Sequence, residues 1–546
     1  MDLSKKIFGN TISEKDYKKA CKTQKGFIKK FGDDRNTVYN FKLEDNPVLT
    51  PVMGVKNIVL DNSDDKATAD TDSKTSGAKK ALELPKNAVI IGNIRMGFGH
   101  YRISMAMASA AHALGYTPVW MDLNSFKGTT ATKIISYQND LYSLGSRLSQ
   151  KFRLFNKFVW EPINYEGFKK LSYNAGDQKT SELMTALYRD FPKDTPFVAT
   201  HVWPSQGAIH ARMTNVLNAI PDNWPMALHL SEGAKHAVQT EKTYLGYKNL
   251  IGFDGDKILN PMSDEDIIYT GHYIDDEIVK NIESDCKHRI ARAKKGEPIR
   301  FLLTIGGAGA QGDFFAKIIQ ILLPYIKDKK ACLYINCGDY MNVWELIKKN
   351  VPALTGKDFS RMIHTYFDSW DEELEFAKDC VKPAGKISQN GIHVFCNKDI
   401  FAAVYITNLL MRGADVLVTK PSELAFYPVP KLFIKRIGGH EMWGAIHSHE
   451  VGDGTCELET AELAAEMAKS FITDRSLLVR MNENIMRNNS IGLYDGAYNV
   501  IKALCGKGKK PASKAKAAEK STAKKTAPKA KSISKSKPAS KAKVKK

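Results

Sequence analysis

A chain of 546 residues is too long for one hydrophobic core, because single cores rarely grow past roughly 250 to 300 residues, so two domains with extensions are expected. With 43% apolar residues the composition is that of a globular chain, and the longest nearly apolar stretch, around Ile318–Ile326, reaches about half the ~20 residues of a spanning helix. The formal charge of +20 is uneven: from Gly506 to Lys546 sixteen lysines face one acid, Glu519, which gives that stretch +15 and leaves +5 for the rest.

The tail from 506 to 546 has only Ile533 and Val544 as sizeable apolar groups, so it is expected to be disordered. Its lysines suit a salt-sensitive grip on nucleic acid or an anionic membrane surface, or simply keep the chain soluble. The opening MDLSKKIFGN is followed by no apolar run, and the eight cysteines lack C-x-x-C spacing. A cytoplasmic chain without metal or cofactor is expected, either free or peripheral on the inner face of the membrane.

In chain order, residues 1–60 read as a basic appendage and 61–84 as a flexible polar linker. Asn87–Ile91 predicts a buried strand, Gly92–His100 a glycine-rich turn, Tyr101–Leu114 a helix of small residues ending at Gly115, and Thr117–Met121 a second strand. This β-loop-α-β unit builds parallel sheets. Further strands are expected at Pro196–Thr200, Met226–Leu230 and Asp266–Thr270. The pattern restarts with Arg300–Ile305, the loop GGAGAQG at Gly306–Gly312, and a helix from Asp313 to Leu323 that Pro324 should end or kink. Strands at Ala331–Asn336, His393–Cys396, Val416–Thr419 and Lys431–Ile434 and a helical run over Thr460–Leu504 complete it. The expected fold is α/β, with Rossmann-like domains at 85–295 and 296–505 facing across a cleft.

Several polar motifs fall where these strands end. They are GFGH at Gly97–His100, THVWP at Thr200–Pro204, SEGAKH at Ser231–His236, the turn Thr270-Gly271-His272, GGAGAQG, and GADVLVTKPSELAFYPVP from Gly413 to Pro430. A glycine loop at a helix N-terminus suits an anion, although GGAGAQG is neither G-x-G-x-x-G nor a Walker A loop. Histidine near a sheet mouth suits proton transfer at neutral pH.

Together these motifs resemble a GT-B glycosyltransferase of the group containing monogalactosyldiacylglycerol synthase, processive diacylglycerol glucosyltransferases and the N-acetylglucosaminyltransferase of peptidoglycan lipid precursors. The resemblance covers 87 to about 500. It implies a sugar transferred from a nucleotide sugar, uridine-linked, to a lipid or lipid-linked acceptor. For the donor it implies Gly306, Gly307, Ala308, Gln311, Phe395, Thr419, Lys420, Ser422, Glu423, His440 and Glu441, with Glu423 on the ribose hydroxyls and His440 and Glu441 on the sugar. For the acceptor it implies Gly97, Gly99, His201 and His236, with His100 as base and Glu232 as a second candidate base. The family's glycine pair after Thr-Lys-Pro is missing here, which leaves open a GT-B-shaped protein that binds a nucleotide or polyanion without catalysis. A nucleotide-sugar epimerase on the same fold is a third reading.

From Ile134 to Val159, apolar residues recur at helical spacing beside Arg147, Lys151, Arg153 and Lys157. Such a helix lies in a membrane interface or packs on its own domain.

Overall fold

The computed structural model describes residues 2–61, 82–305, 311–382 and 390–506. Most of the expected linker, Gly306, Gly307, Ala308 and the tail beyond Gly506 therefore lie outside the described residues.

The first lobe is an eight-stranded sheet. Its strands are β1 (Phe41–Asp45), β2 (Lys56–Leu60), β3 (Ala88–Asn93), β4 (Thr117–Asp122), β5 (Phe197–Ala199), β6 (Val216–Ala219), β7 (Lys235–Val238) and β8 (Ile267–Tyr269). Their spatial order is β8-β7-β6-β5-β3-β4-β2-β1, all parallel except the β1–β2 pair. Every residue of β3 is buried, as a parallel strand covered on both faces requires. A Cβ on Gly92 would stand 2.3 Å from the Phe197 ring, so β3 and β5 approach as closely as they do only with glycine there.

The first-lobe helices include α1 (Glu14–Phe31), α2 (Gly99–Ala113), α3 (Thr130–Lys151), α4 (Leu171–Ser181) and α5 (Val202–His210). Of these, α2 is buried from Tyr101 to Ala111, and its alanine, serine and methionine side chains allow close packing on both sides.

The second lobe is a parallel seven-stranded sheet of β9 (Ile299–Thr304), β10 (Ala331–Asn336), β11 (Ile363–Phe367), β12 (Ile392–Cys396), β13 (Val416–Thr419), β14 (Lys431–Ile434) and β15 (Gly454–Leu458). Its order is β11-β12-β10-β9-β13-β14-β15. The helices that bear on function are α6 (Gly312–Lys327), α7 (Ile400–Gly413), α8 (Met442–Glu450) and α9 (Gly496–Cys505). The connections change direction between β3 and β5 in one sheet and between β9 and β13 in the other. Open α/β sheets place their ligand crevice at such switch points. Two parallel sheets arranged in this way are a GT-B architecture.

Four expectations need correction. The 1–60 segment is not a separate appendage, because β1 and β2 extend the first sheet beyond β4. Met226–Leu230 is a 3-10 turn at Ala227–His229 rather than a strand. Asn174, Gln206 and Asn218 donate side-chain amides to its Ala227, Leu230 and His229 carbonyls, which replaces the ladder a strand would have needed. The strand is instead β6, ten residues earlier in the chain. Pro324 does not end α6, which continues to Lys327. The 296–505 domain loses its last helix: α9 packs on α2 through Val500, Ile501 and Leu504, and Asn499 donates to the Thr270 carbonyl at 2.9 Å.

Candidate functional site

A cavity of about 410 Å³ opens where the carboxyl ends of the two sheets meet. The β3–α2 loop and the first turn of α2 bring Arg95 to His100, and the segment after β6 brings Asp222. From the other lobe come Thr304, Asn336, Thr419, Lys420, Ser422, Glu423 and Glu441. Eight of the residues expected from sequence are thus on one wall or another: Gly97, Gly99, His100, Thr419, Lys420, Ser422, Glu423 and Glu441.

His100 is fixed by its Nδ1, which lies 2.6 Å from the Thr200 carbonyl oxygen. A carbonyl only accepts, so Nδ1 carries the proton and Nε2 keeps its lone pair. Nε2 has no hydrogen-bond partner among the described residues. Burial lowers the pKa of His100 below the ordinary histidine value, opposed by the Thr200 carbonyl and by the charges of Asp222 and Glu423, which favours a neutral ring. Its ring meets the edge of His201 at 4.9 Å. His201 caps α5, its Nδ1 accepting the Trp203 backbone N–H at 3.2 Å, and burial holds it well below the usual histidine range.

Charge pairs close the cleft. Arg102, on α2, donates to Glu423 across the lobes at 3.2 Å and to the Val404 carbonyl, also at 3.2 Å. Arg95 pairs with Asp339, again from one lobe to the other. Lys420 pairs with Glu441, whose second oxygen accepts the Ile437 and Gly438 backbone N–H groups at 2.8 and 3.2 Å. Burial opposes charge on Lys420, but Glu441 and Glu423 raise its pKa above the ordinary lysine value.

Asp222 was not visible as a site residue in the sequence; only its place after an apolar run, NAIPD, hints at it. His229 Nε2 lies 3.0 Å from its carboxylate. Burial alone would raise this carboxyl, yet the His229 hydrogen bond and the nearby His440 and His100 rings hold it well below the carboxylate range. Tyr142 of α3 also lines the cleft near Lys420 and Glu441, its hydroxyl pushed up to about 12, chiefly by burial.

Other expected residues stand elsewhere. The Glu232 carboxylate accepts the backbone N–H of Phe8 at 2.5 Å, so the N-terminal segment occupies it and the cleft does not. His236 accepts the Ser231 N–H at 3.0 Å and meets the Phe8 ring edge-on at 5.4 Å, which likewise keeps it off the cleft wall. Phe395 is fully buried, stacked on Tyr366 at 4.8 Å within the second-lobe core. On a strand next to the sheet edge and packed inward, it is not part of the cleft wall. Gln311 precedes α6 in the left-handed region, φ 69°, and its side chain donates to the Lys435 carbonyl. His440 lies outside the cavity wall, with its Nδ1 buried and unpartnered among the described residues. No group of three or more histidine, cysteine, aspartate or glutamate side chains among the described residues is placed to hold a metal ion.

A second, larger cavity of about 730 Å³ adjoins the first, sharing Met96 and Tyr142 with it and carrying His201 on its wall.

Residues 6–249 match the family described as a domain of unknown function, DUF6937, and residues 262–505 match a second, DUF6938. No curated protein matches the sequence. Among solved structures, a UDP-GlcNAc 2-epimerase from Neisseria meningitidis bound to UDP-GlcNAc is 12% identical, with 76% of this chain and 97% of that chain covered and a TM-score of 0.39. A glycosyltransferase from Rickettsia africae is 12% identical over 77% of this chain and 100% of that one, at 0.36. An alpha,alpha-trehalose 6-phosphate synthase from Burkholderia multivorans is 12% identical over 77% and 96%, at 0.38. The architecture stands on the strand orders given above.

Proposed function

We propose that the protein transfers a sugar from a nucleotide sugar, with uridine diphosphate leaving, to the hydroxyl of a lipid acceptor. The observation that carries this reading is His100: a neutral imidazole, pinned at Nδ1, with Nε2 open in a cleft whose far wall is the Thr419–Glu423 loop. In this reading Nε2 takes the acceptor proton as the acceptor oxygen bonds to the sugar C1 and the bond from C1 to the diphosphate breaks. The negative charge that leaves with the diphosphate meets the Lys420 ammonium and the N-terminus of α6. Glu423 accepts the two ribose hydroxyls, Thr419 and Ser422 border the nucleotide, and Glu441 lies toward the sugar.

A lipid acceptor is supported by the segment after α3. Phe152, Leu154, Phe158, Val159 and Ile163 are exposed, Leu154 at 71% and Phe158 at 67%, beside Lys151 and Lys157. Apolar side chains flanked by lysine suit an anionic membrane interface. No helix among the described residues is long and apolar enough to cross a membrane.

The second reading is a two-lobed protein that binds a nucleotide without transferring sugar. It is favoured by the internal pairing of Glu423 with Arg102 and of Lys420 with Glu441, which a donor would have to share. The two readings separate on one experiment: incubation with labelled uridine-linked sugars and lipid extracts, followed by thin-layer detection. The transferase reading expects a labelled lipid that is lost in His100→Ala; nucleotide binding without any labelled lipid leaves the second.

A further inference from the structure

Two helices stand between the cleft and a separate cavity of about 310 Å³. On α2 the cleft residue is Arg102, whereas Ser109 and His112 line the cavity, His112 being about 15 Å farther along at ~1.5 Å per residue. On α7 Thr407 faces the cleft, and Tyr405, Leu409 and Arg412, at steps of four and three, turn the opposite face to the cavity. The short helix Thr50–Met53 adds Val52 and Met53 from the first lobe, and the helix Trp370–Cys380 adds Leu374, Ala377 and Lys378 from the second. The helix Asp276–Val279, in the stretch that joins the lobes, completes the wall. The volume is at the lower end of what encloses a small ligand.

The acids on this wall are already committed. Asp276 accepts the Tyr498 hydroxyl and pairs with Lys280 at 3.2 Å, and Glu277 pairs with Lys280 at 2.7 Å and with Arg412, which also reaches Asp285 at 3.0 Å. Three polar groups are left over. Lys378 and His112 make no ion pair or hydrogen bond among the described residues. Tyr405 is only 5% exposed, and its hydroxyl, likewise without a partner there, is not sealed in the protein but opens on the cavity. Burial, with the charges of Asp275, Glu277 and Asp276, raises its pKa above the ordinary tyrosine value, so it stays a donor. A hydroxyl so nearly buried normally has a partner.

We infer that this cavity is an effector site for a small carboxylic acid with a compact apolar body, its carboxylate on Lys378 and the Tyr405 hydroxyl and its body on Leu374, Ala377 and Leu409. One unpaired ammonium matches one negative charge, whereas the second charge of a phosphate would stand beside Asp276 and Glu277 without a cation of its own. The effect on the cleft follows from α7. Asn408, next to Leu409, accepts from Arg102 and donates to Asp275 at 3.0 Å, and Arg102 in turn holds Glu423. An occupant resting on both lobes favours the arrangement in which these bonds are made, so it opposes release of Glu423 to a nucleotide. That effect rests on the nucleotide reading of the cleft; the binding of the acid does not.

Titration calorimetry of the full chain with 3-phenylpropanoate tests the site, with 3-phenylpropylamine as the charge-reversed control. The acid should bind saturably with a Kd of about 1 mM or below, and the amine about tenfold more weakly or not at all. Tyr405→Phe and Lys378→Gln should each weaken the acid about fivefold or more, and Val52→Trp, on a rim side chain that is 38% exposed, should fill the cavity and block it. Lys378 is exposed, so Lys378→Gln carries the measurement should Tyr405→Phe lower the melting temperature. Absence of saturable binding, or equal binding in the full chain, Lys378→Gln and Val52→Trp, overturns the site. Equal or tighter binding of the amine overturns the carboxylate. With the acid at saturation, the affinity for uridine diphosphate should fall about fivefold or more; an unchanged affinity overturns the effector role. If uridine diphosphate does not bind at all, the effector role falls with the transferase reading, and the acid site stands on its own titration.

Discussion

The two loops that face each other across the cleft hold their reactive groups in opposite conditions. In the first turn of α2, just after the loop from β3, His100 spends one ring nitrogen on the Thr200 carbonyl and keeps the other open. On the loop after β13, Lys420 and Glu423 are both committed, to Glu441 and to Arg102. The difference teaches that the first lobe presents an imidazole already oriented with one nitrogen open, whereas the second presents the residues proposed to hold the donor with their charges already paired. In the proposed reading a nucleotide displaces or shares these ion pairs, which couples its arrival to the Arg102–Glu423 contact between lobes.

The largest expected effect falls on the open side. His100→Ala should lower sugar transfer about 10²- to 10⁴-fold, the usual worth of a positioned general base, with nucleotide binding retained; steady-state rates and a thermal shift on the same sample check both. On the shut side, Arg102→Ala leaves the Glu423 carboxylate without its partner in a largely buried cleft. Breaking such a pair should cost about 3 kcal/mol, read by denaturant unfolding. A loss near zero would show that Arg102 and Glu423 are uncoupled.

A smaller effect is expected from pH. Because burial lowers the pKa of His100, the ring stays neutral, and the rate level, as pH falls to the ordinary histidine value near 6.5, and declines only below it. Asp222→Asn removes a nearby negative charge that favours the protonated ring, so the decline should move to still lower pH. A rate profile, or a nuclear magnetic resonance titration of the His100 ring, reads this directly. The smallest effect should come from outside the cleft: Leu154→Ser with Phe158→Ser weakens binding to anionic vesicles while nucleotide binding and melting temperature stay as they were.

Much of the fold was legible because its signals are local. The runs at Asn87–Ile91, Ala331–Asn336 and Val416–Thr419 are apolar except for one end residue each, as suits strands covered on both faces, and each lies within a residue or two of an observed strand. Met226–Leu230 misled because its carbonyls are satisfied by Asn and Gln side chains from three distant segments, a tertiary arrangement without a local pattern. The site divides in the same way. Residues just after the loops that follow strands, such as His100 and Glu423, could be placed at the cleft from position. Glu232, just before β7, and His236, within it, belong to a motif that looked equivalent in sequence, but the N-terminal segment around Phe8 reaches them through contacts more than 200 residues apart in sequence. Asp222 needed His229 beside it before its charge could be recognised.

The central claim is that a nucleoside diphosphate enters between Lys420 and Glu423 despite their pairing. Thermal unfolding of the purified full chain with and without uridine diphosphate tests it most directly. A raised melting temperature that is lost in Glu423→Ala, with that variant otherwise folded, is the predicted result. An unchanged melting temperature with every nucleoside diphosphate would contradict the account.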